Sequence, residues 1–124
     1  MKIFNNNNNE DKMINITELE EKVIIQIGGT IDGVNVDAPD TTEEDLQEFA
    51  VASERWKFLV RDTKISPKVL RGVLASLTKK GLIEVDESST DKHSWGENFQ
   101  DPLIHFTPNG ISFWWNNIHN KESA

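Results

Sequence analysis

Apolar positions fall into short runs whose spacing alternates between helical and strand-like. In INITELEEKVIIQIGG, Leu19, Val23, Ile24 and Ile27 recur at helical spacing, and Gly28-Gly29 ends the run. Asn15 with Glu18, or Thr17 with Glu20, makes the capping box that would open this helix. TIDGVNV is β-branched around Asp32-Gly33 and predicts a strand or a tiny hairpin, with DAPD as a loop. A second helical stretch opens at TTEEDLQEFAV, where Thr41 or Thr42 supplies the cap and three acids suit the first turn. Its stripe of Leu46, Phe49, Ala50, Ser53, Trp56 and Val60 fits one helix to about Asp62, or two broken near Ser53. Two is the preferred reading, because Ser53-Glu54 is itself a start signal.

The clearest periodicity follows, in ISPKVLRGVLASLTKKGLIEV. Ser66 is a good N-cap, and Pro67 sits at the first helical position, where its missing N–H costs nothing. Leu70, Val73, Leu74 and Leu77 form an inward stripe at i, i+3, i+4 and i+7. The opposite face carries Lys68, Arg71, Gly72, Ala75 and Lys79, and Gly81 takes the helix-ending C′ position. LIEVD and LIHF read as antiparallel strands joined by the long loop ESSTDKHSWGENFQDP. Thr107-Pro108 caps a last helix, on which Ile111, Trp114, Trp115 and Ile118 form another stripe.

Length changes this picture little: 124 residues suit one domain, over about 13–120, with a single core. Residues 1–12 include five consecutive asparagines, Asn5 to Asn9, and are expected to be a disordered tail. MKIFNNNNNEDK has no apolar centre and so does not read as a signal peptide. No apolar run approaches the ~20 residues that span a bilayer. The absence of cysteine excludes disulfides and thiolate metal sites. The expectation is a soluble, cytoplasmic protein.

Charge changes it more. Residues 55–80 hold eight cations (Arg55, Lys57, Arg61, Lys64, Lys68, Arg71, Lys79 and Lys80) and one acid, Asp62, a net +7. The rest of the chain holds five cations and twenty acids, a net −15. A basic block within an acidic chain is the electrostatic footprint of a polyanion site, although a Lys/Arg-rich helix face can also be simply solvated.

With VRDTKISPKVLRGVLASLTKKGLIEVD and LIHFTPNGISFW in view, the chain resembles a winged helix-turn-helix domain of MarR-type and related bacterial and phage regulators. ISPKVLRGVL looks like the turn and recognition helix of that family. LTKKGLIEV is similar to the run that leads the helix into the wing, and FTPNGISF to the phrase opening the last helix. The resemblance implies an α+β, mostly α fold. A helix-turn-helix would occupy about 54–80, preceded by an inserted segment, with a two-stranded wing at about 82–106 and a C-terminal helix at about 107–119. Two departures stand out. Lys64 occupies the turn position usually given to glycine, and wing loop 87–102 sets Lys92 against Glu87, Asp91, Glu97 and Asp101.

The function so implied is sequence-specific binding of double-stranded DNA by a small transcriptional regulator. Its recognition helix would lie in the major groove. Arg71 would read guanine with a two-pronged contact, and Lys68 would meet phosphate. Ser66 would meet phosphate at the helix N-terminus, Gly72 and Ala75 would allow close approach, and Lys79 lies on the same face. Arg55, Lys57, Arg61 and Lys64 would neutralise backbone phosphates. With five or six phosphates engaged, log K would fall with log[salt] at a slope of about −5. Such regulators often pair through terminal helices, which makes Ile111, Trp114, Trp115 and Ile118 either a homodimer interface or core. Trp95 and Phe99 in the acidic wing suggest either a wing folded back on its own domain or an apolar docking point for a protein. The alternative function is accordingly a winged-helix adaptor whose acidic surface docks on a basic partner or transcription machinery without touching DNA. His93, His105 and His119 are too scattered for a ligand motif, and no nucleophile sits in a catalytic pattern. Neither a metal, another cofactor nor an enzymatic activity is expected.

Overall fold

The computed structural model describes residues 2–5, 13–86 and 102–120. Lys2–Asn5 (β1) pairs antiparallel with Met13–Ile16 (β2), Lys2 opposite Ile16 and Asn5 opposite Met13. This corrects the expectation of a disordered tail at its start. Composition averaged over twelve residues hides the strand-forming Ile3-Phe4 pair, and MINI alternates to match it. Residues 6–12 lie outside the described residues.

Thr17 ends the hairpin and opens α1 (Glu18–Gly28), choosing between the two capping boxes. Its hydroxyl accepts the Glu20 N–H at 3.1 Å, and Glu20 Oε1 accepts the Thr17 N–H at 2.8 Å. Val23, Ile24 and Ile27 are buried as expected, but Leu19 is 37 % exposed and Glu20 only 2 %. The helix is rotated from the apolar stripe because Glu20 finds a cation inside, Lys80.

The segment expected as a strand or hairpin is a turn. Asp32 and Val51 exchange two backbone hydrogen bonds, at 2.9 and 3.0 Å, and the ladder extends no further. Thr42 then caps α2 (Glu43–Phe49), with Asp45 completing its capping box. The preferred break near Ser53 is present, but it is itself a strand: Ser53–Arg55 (β3) separates α2 from α3 (Trp56–Thr63). Phe49 and Trp56 therefore do not share a helix face, and Phe49 is exposed.

Pro67–Lys79 (α4) has the predicted anatomy. Ser66 caps it, Leu70, Val73, Leu74 and Leu77 are buried, and Gly81 follows the cap residue Lys80 at φ +78°. That left-handed conformation favours glycine, because a side chain there meets the backbone. Ile83–Asp86 (β4) and Leu103–Phe106 (β5) pair antiparallel, and β3 adds to the other side of β5, giving the order β3-β5-β4. Thr107 caps the last helix, α5 (Pro108–Trp114), which continues as a π-helical turn, Trp115–His119. Gly110 lies so close to the Leu82 carbonyl that a Cβ would run into the oxygen. That approach lets Thr107 donate from its N–H to Leu82 O at 3.1 Å and from its hydroxyl to Gly81 O at 2.6 Å.

The result is an α+β structure, mostly helical, with one small three-stranded antiparallel sheet and the β1–β2 hairpin. Helix α1 packs against α3, α4 and α5, so the core runs from Ile24 and Ile27 through Leu59, Leu70 and Leu77 to Ile104 and Phe113. Ile111 and Trp114 are buried within the chain, while Trp115 and Ile118 pack half-buried at its edge. Half of the apolar stripe proposed for a dimer is therefore already core. Helix α2 is fastened to α5: Ser112 Oγ donates to Glu43 at 2.7 Å, and Gln47 Nε2 donates to Pro108 O at 2.7 Å. His119 stacks on Trp114 and Trp115 at 5.0 and 4.9 Å and hydrogen-bonds the Val36 carbonyl at 2.9 Å. Among the described residues, no helix is long and apolar enough to cross a membrane.

Candidate nucleic-acid interface

The amphipathic pattern of α4 dictates the site. Four aliphatic side chains anchor one face in the core, which leaves Lys68, Arg71, Gly72, Ala75 and Lys79 exposed on the other. Gly72 has open space around the position of a Cβ. Helix α4 is oriented by the turn before it. Lys64 ends α3 at φ 61°, ψ 22°, the one non-glycine residue with positive φ among the described residues. This is the position at which the sequence departs from the expected glycine. The turn keeps its left-handed geometry, and an exposed lysine occupies it at a cost of roughly 1 kcal/mol. Thr63 stabilises the same turn: its hydroxyl donates to Leu59 O at 2.5 Å and accepts the Ile65 N–H at 3.3 Å.

The eight cations of the basic block do not act alike. Lys80 turns inward, where its ammonium bridges both Glu20 oxygens at 2.8 and 3.0 Å and the Asn15 carbonyl at 2.5 Å. Burial pushes the Glu20 carboxyl up, but hydrogen bonds from Lys80, the Thr17 N–H and Ser76 outweigh it and hold the group below its ordinary value. Arg61 is exposed but makes a two-pronged pair with Asp62 at 2.7 and 3.0 Å, which lowers the Asp62 carboxyl. Arg61 and Lys57 also flank the Phe58 ring at 4.7 and 5.3 Å from its centroid. Lys64, Lys68, Arg71 and Lys79 remain exposed along the turn and α4. Ser66 is exposed, and its hydroxyl accepts the Val69 N–H at a long 3.4 Å.

Sequence reasoning missed one member of this surface. Trp56, assigned to an apolar stripe, is half-buried at the start of α3, with the Arg71 guanidinium 5.9 Å from its ring centroid. Trp56, Arg71, Leu74, Ala75, Thr78 and Val85 line a groove of about 290 Å³ beside the cationic face. Only the strand that separates α2 from α3 brings Trp56 there, and no local spacing signals it. Helix α2, which carries Glu43, Glu44, Asp45 and Glu48, packs against α5. Residues 87–101, the stretch expected as the wing loop with Trp95 and Phe99, lie outside the described residues. Among the described residues, no group of His, Asp and Glu is arranged to hold a metal ion. No protein-family model, curated protein or solved structure matches the chain.

Proposed function

We propose that the chain binds double-stranded DNA as a winged helix, in the manner its sequence resemblance implies. The observation that carries the reading is the exposed cationic face of α4, held by an apolar spine and presented after a left-handed turn. The element order supports the fold assignment once α2 is set aside as part of the inserted segment: α1, β3, α3, α4, then β4 and β5, with β5 central in the sheet. In this reading α4 enters the major groove and Arg71 contacts guanine O6 and N7, worth about 1–3 kcal/mol of discrimination. Lys64, Lys68 and Lys79 neutralise phosphates, with Ser66 beside them at the helix N-terminus. Gly72 and Ala75 leave space for the groove wall. Lys57 and Arg61 contribute less, because Phe58 and Asp62 already engage them. A role as a small transcriptional regulator follows from the same resemblance.

The test is fluorescence anisotropy with random-sequence duplex at low salt. Lys68→Ala/Arg71→Ala is expected to weaken binding by at least about tenfold, the equivalent of 1.4 kcal/mol, with an unchanged thermal melt. Equal affinity of the double variant refutes the reading. A second reading, a protein-docking adaptor, is favoured by exposed Phe49 and Val51 beside the acidic insertion. It predicts no rise in duplex anisotropy with the wild-type protein at any salt concentration.

A further inference from the structure

Two surface features of the chain are opposite in charge. The first is a projection. Phe49, the last residue of α2, is 59 % exposed, and Val51 is 64 % exposed. Full burial of such side chains is worth about 1.5–3 kcal/mol each, and the isolated fold does not gain it. Residues 28–52 around them hold seven acids and no lysine or arginine. Glu44 and Glu48 are exposed on the helix that carries Phe49. The second feature is the groove of about 290 Å³ between Trp56, Leu74, Ala75 and Val85, with Arg71 in its lining and Lys68 one turn earlier on the same face. A phenyl ring entering this groove would lie beside Trp56, and aromatic pairs gain from offset or edge-on contact.

We propose that Phe49 of one copy seats in the Trp56–Arg71 groove of a second copy, with Glu44 and Glu48 facing Lys68 and Arg71. The contact is heterologous: each chain offers a projection at one place and a groove at another, so copies add head to tail. A second copy is the favoured occupant because both halves, of opposite charge, reside on the same chain. The interface is small and rich in exposed charge, so it is weak, transient and salt-sensitive. This inference does not rest on the DNA reading. If both hold, the assembled form hides Lys68 and Arg71 from a duplex.

Sedimentation velocity of the full chain without DNA tests it, from micromolar to near-millimolar concentration at low salt. The expected result is a sedimentation coefficient that rises with concentration and falls back in high salt. Phe49→Ser, Glu48→Arg and Arg71→Glu should each weaken association at least about tenfold. An equimolar mixture of the Glu48→Arg and Arg71→Glu chains should regain it, because each reversed partner then meets its complement. Circular dichroism confirms folding, and Phe49→Ser and Glu48→Arg still decide the matter if Arg71→Glu does not fold. A wild-type monomer at every concentration, association indifferent to Phe49→Ser, or a mixture that stays monomeric overturns the proposal.

Discussion

Replacing Lys80 with methionine removes the ammonium that neutralises Glu20 while keeping a stem of similar volume. Glu20 is 2 % exposed with Lys80 in place, so loss of the cation leaves its charge with little access to water. Breaking a fully buried pair by removing one partner costs about 3–5 kcal/mol. Lys80 is 28 % exposed, so solvent screens part of that interaction. Glu20 also keeps its bond from the Thr17 N–H. The expected loss at neutral pH is therefore about 2–3 kcal/mol, read as a shift in the urea midpoint at unchanged slope. The dependence on pH identifies the cause. In the wild type the folded-state value of Glu20 is depressed, so its stabilisation is present above the unfolded carboxylate value. It is lost as pH falls through the lower, folded value. In Lys80→Met, burial without the cation raises the folded value, so that contribution changes sign and acidification relieves the variant. The gap between the two proteins should accordingly narrow on acidification, leaving only the Asn15 bond and stem packing. A gap under about 0.5 kcal/mol at neutral pH, or one of equal size in acid, refutes the argument.

Two further substitutions probe backbone positions that set the site. Gly110→Ala should destabilise by about 1–3 kcal/mol in a denaturant titration, because its Cβ meets the Leu82 carbonyl and backbone must move; a neutral result would contradict that packing. Lys64→Gly should raise stability by about 0.5–1 kcal/mol by relieving the left-handed strain, yet weaken duplex binding by removing a cation; affinity rising together with stability would remove Lys64 from the proposed interface.

Local signals made α4 legible from end to end. Ser66, Pro67, the Leu70–Leu77 spine and Gly81 each impose a backbone requirement within one or two turns, and the structure satisfies all of them. The caps of α2 and α5 were readable for the same reason. Long-range compensation escaped notice. A stripe of apolar residues placed Leu19 inside, but Glu20 goes in because a lysine sixty residues later meets it. Counting charges treated Lys80 and Arg61 as equal to Lys68, whereas Glu20 and Asp62 already answer the first two. β3 went unread because a three-residue strand has almost no period of its own and forms only once Leu103–His105 is beside it. For the same reason Trp56 looked like core, and its place beside Arg71 emerged only in three dimensions.

The salt dependence of duplex binding tests the central claim most directly. With Lys80 clasped and Arg61 paired, Lys64, Lys68 and Lys79 are the cations placed for phosphate, and Arg71 joins them on random-sequence duplex, where no guanine is fixed opposite it. Released counterions should then give log K against log[salt] a slope of about −4, shallower than the whole basic block implies. Lys68→Ala/Arg71→Ala should reduce that slope by about 2. A slope near zero, or one the double variant leaves unchanged, would mean that the face of α4 does not hold DNA.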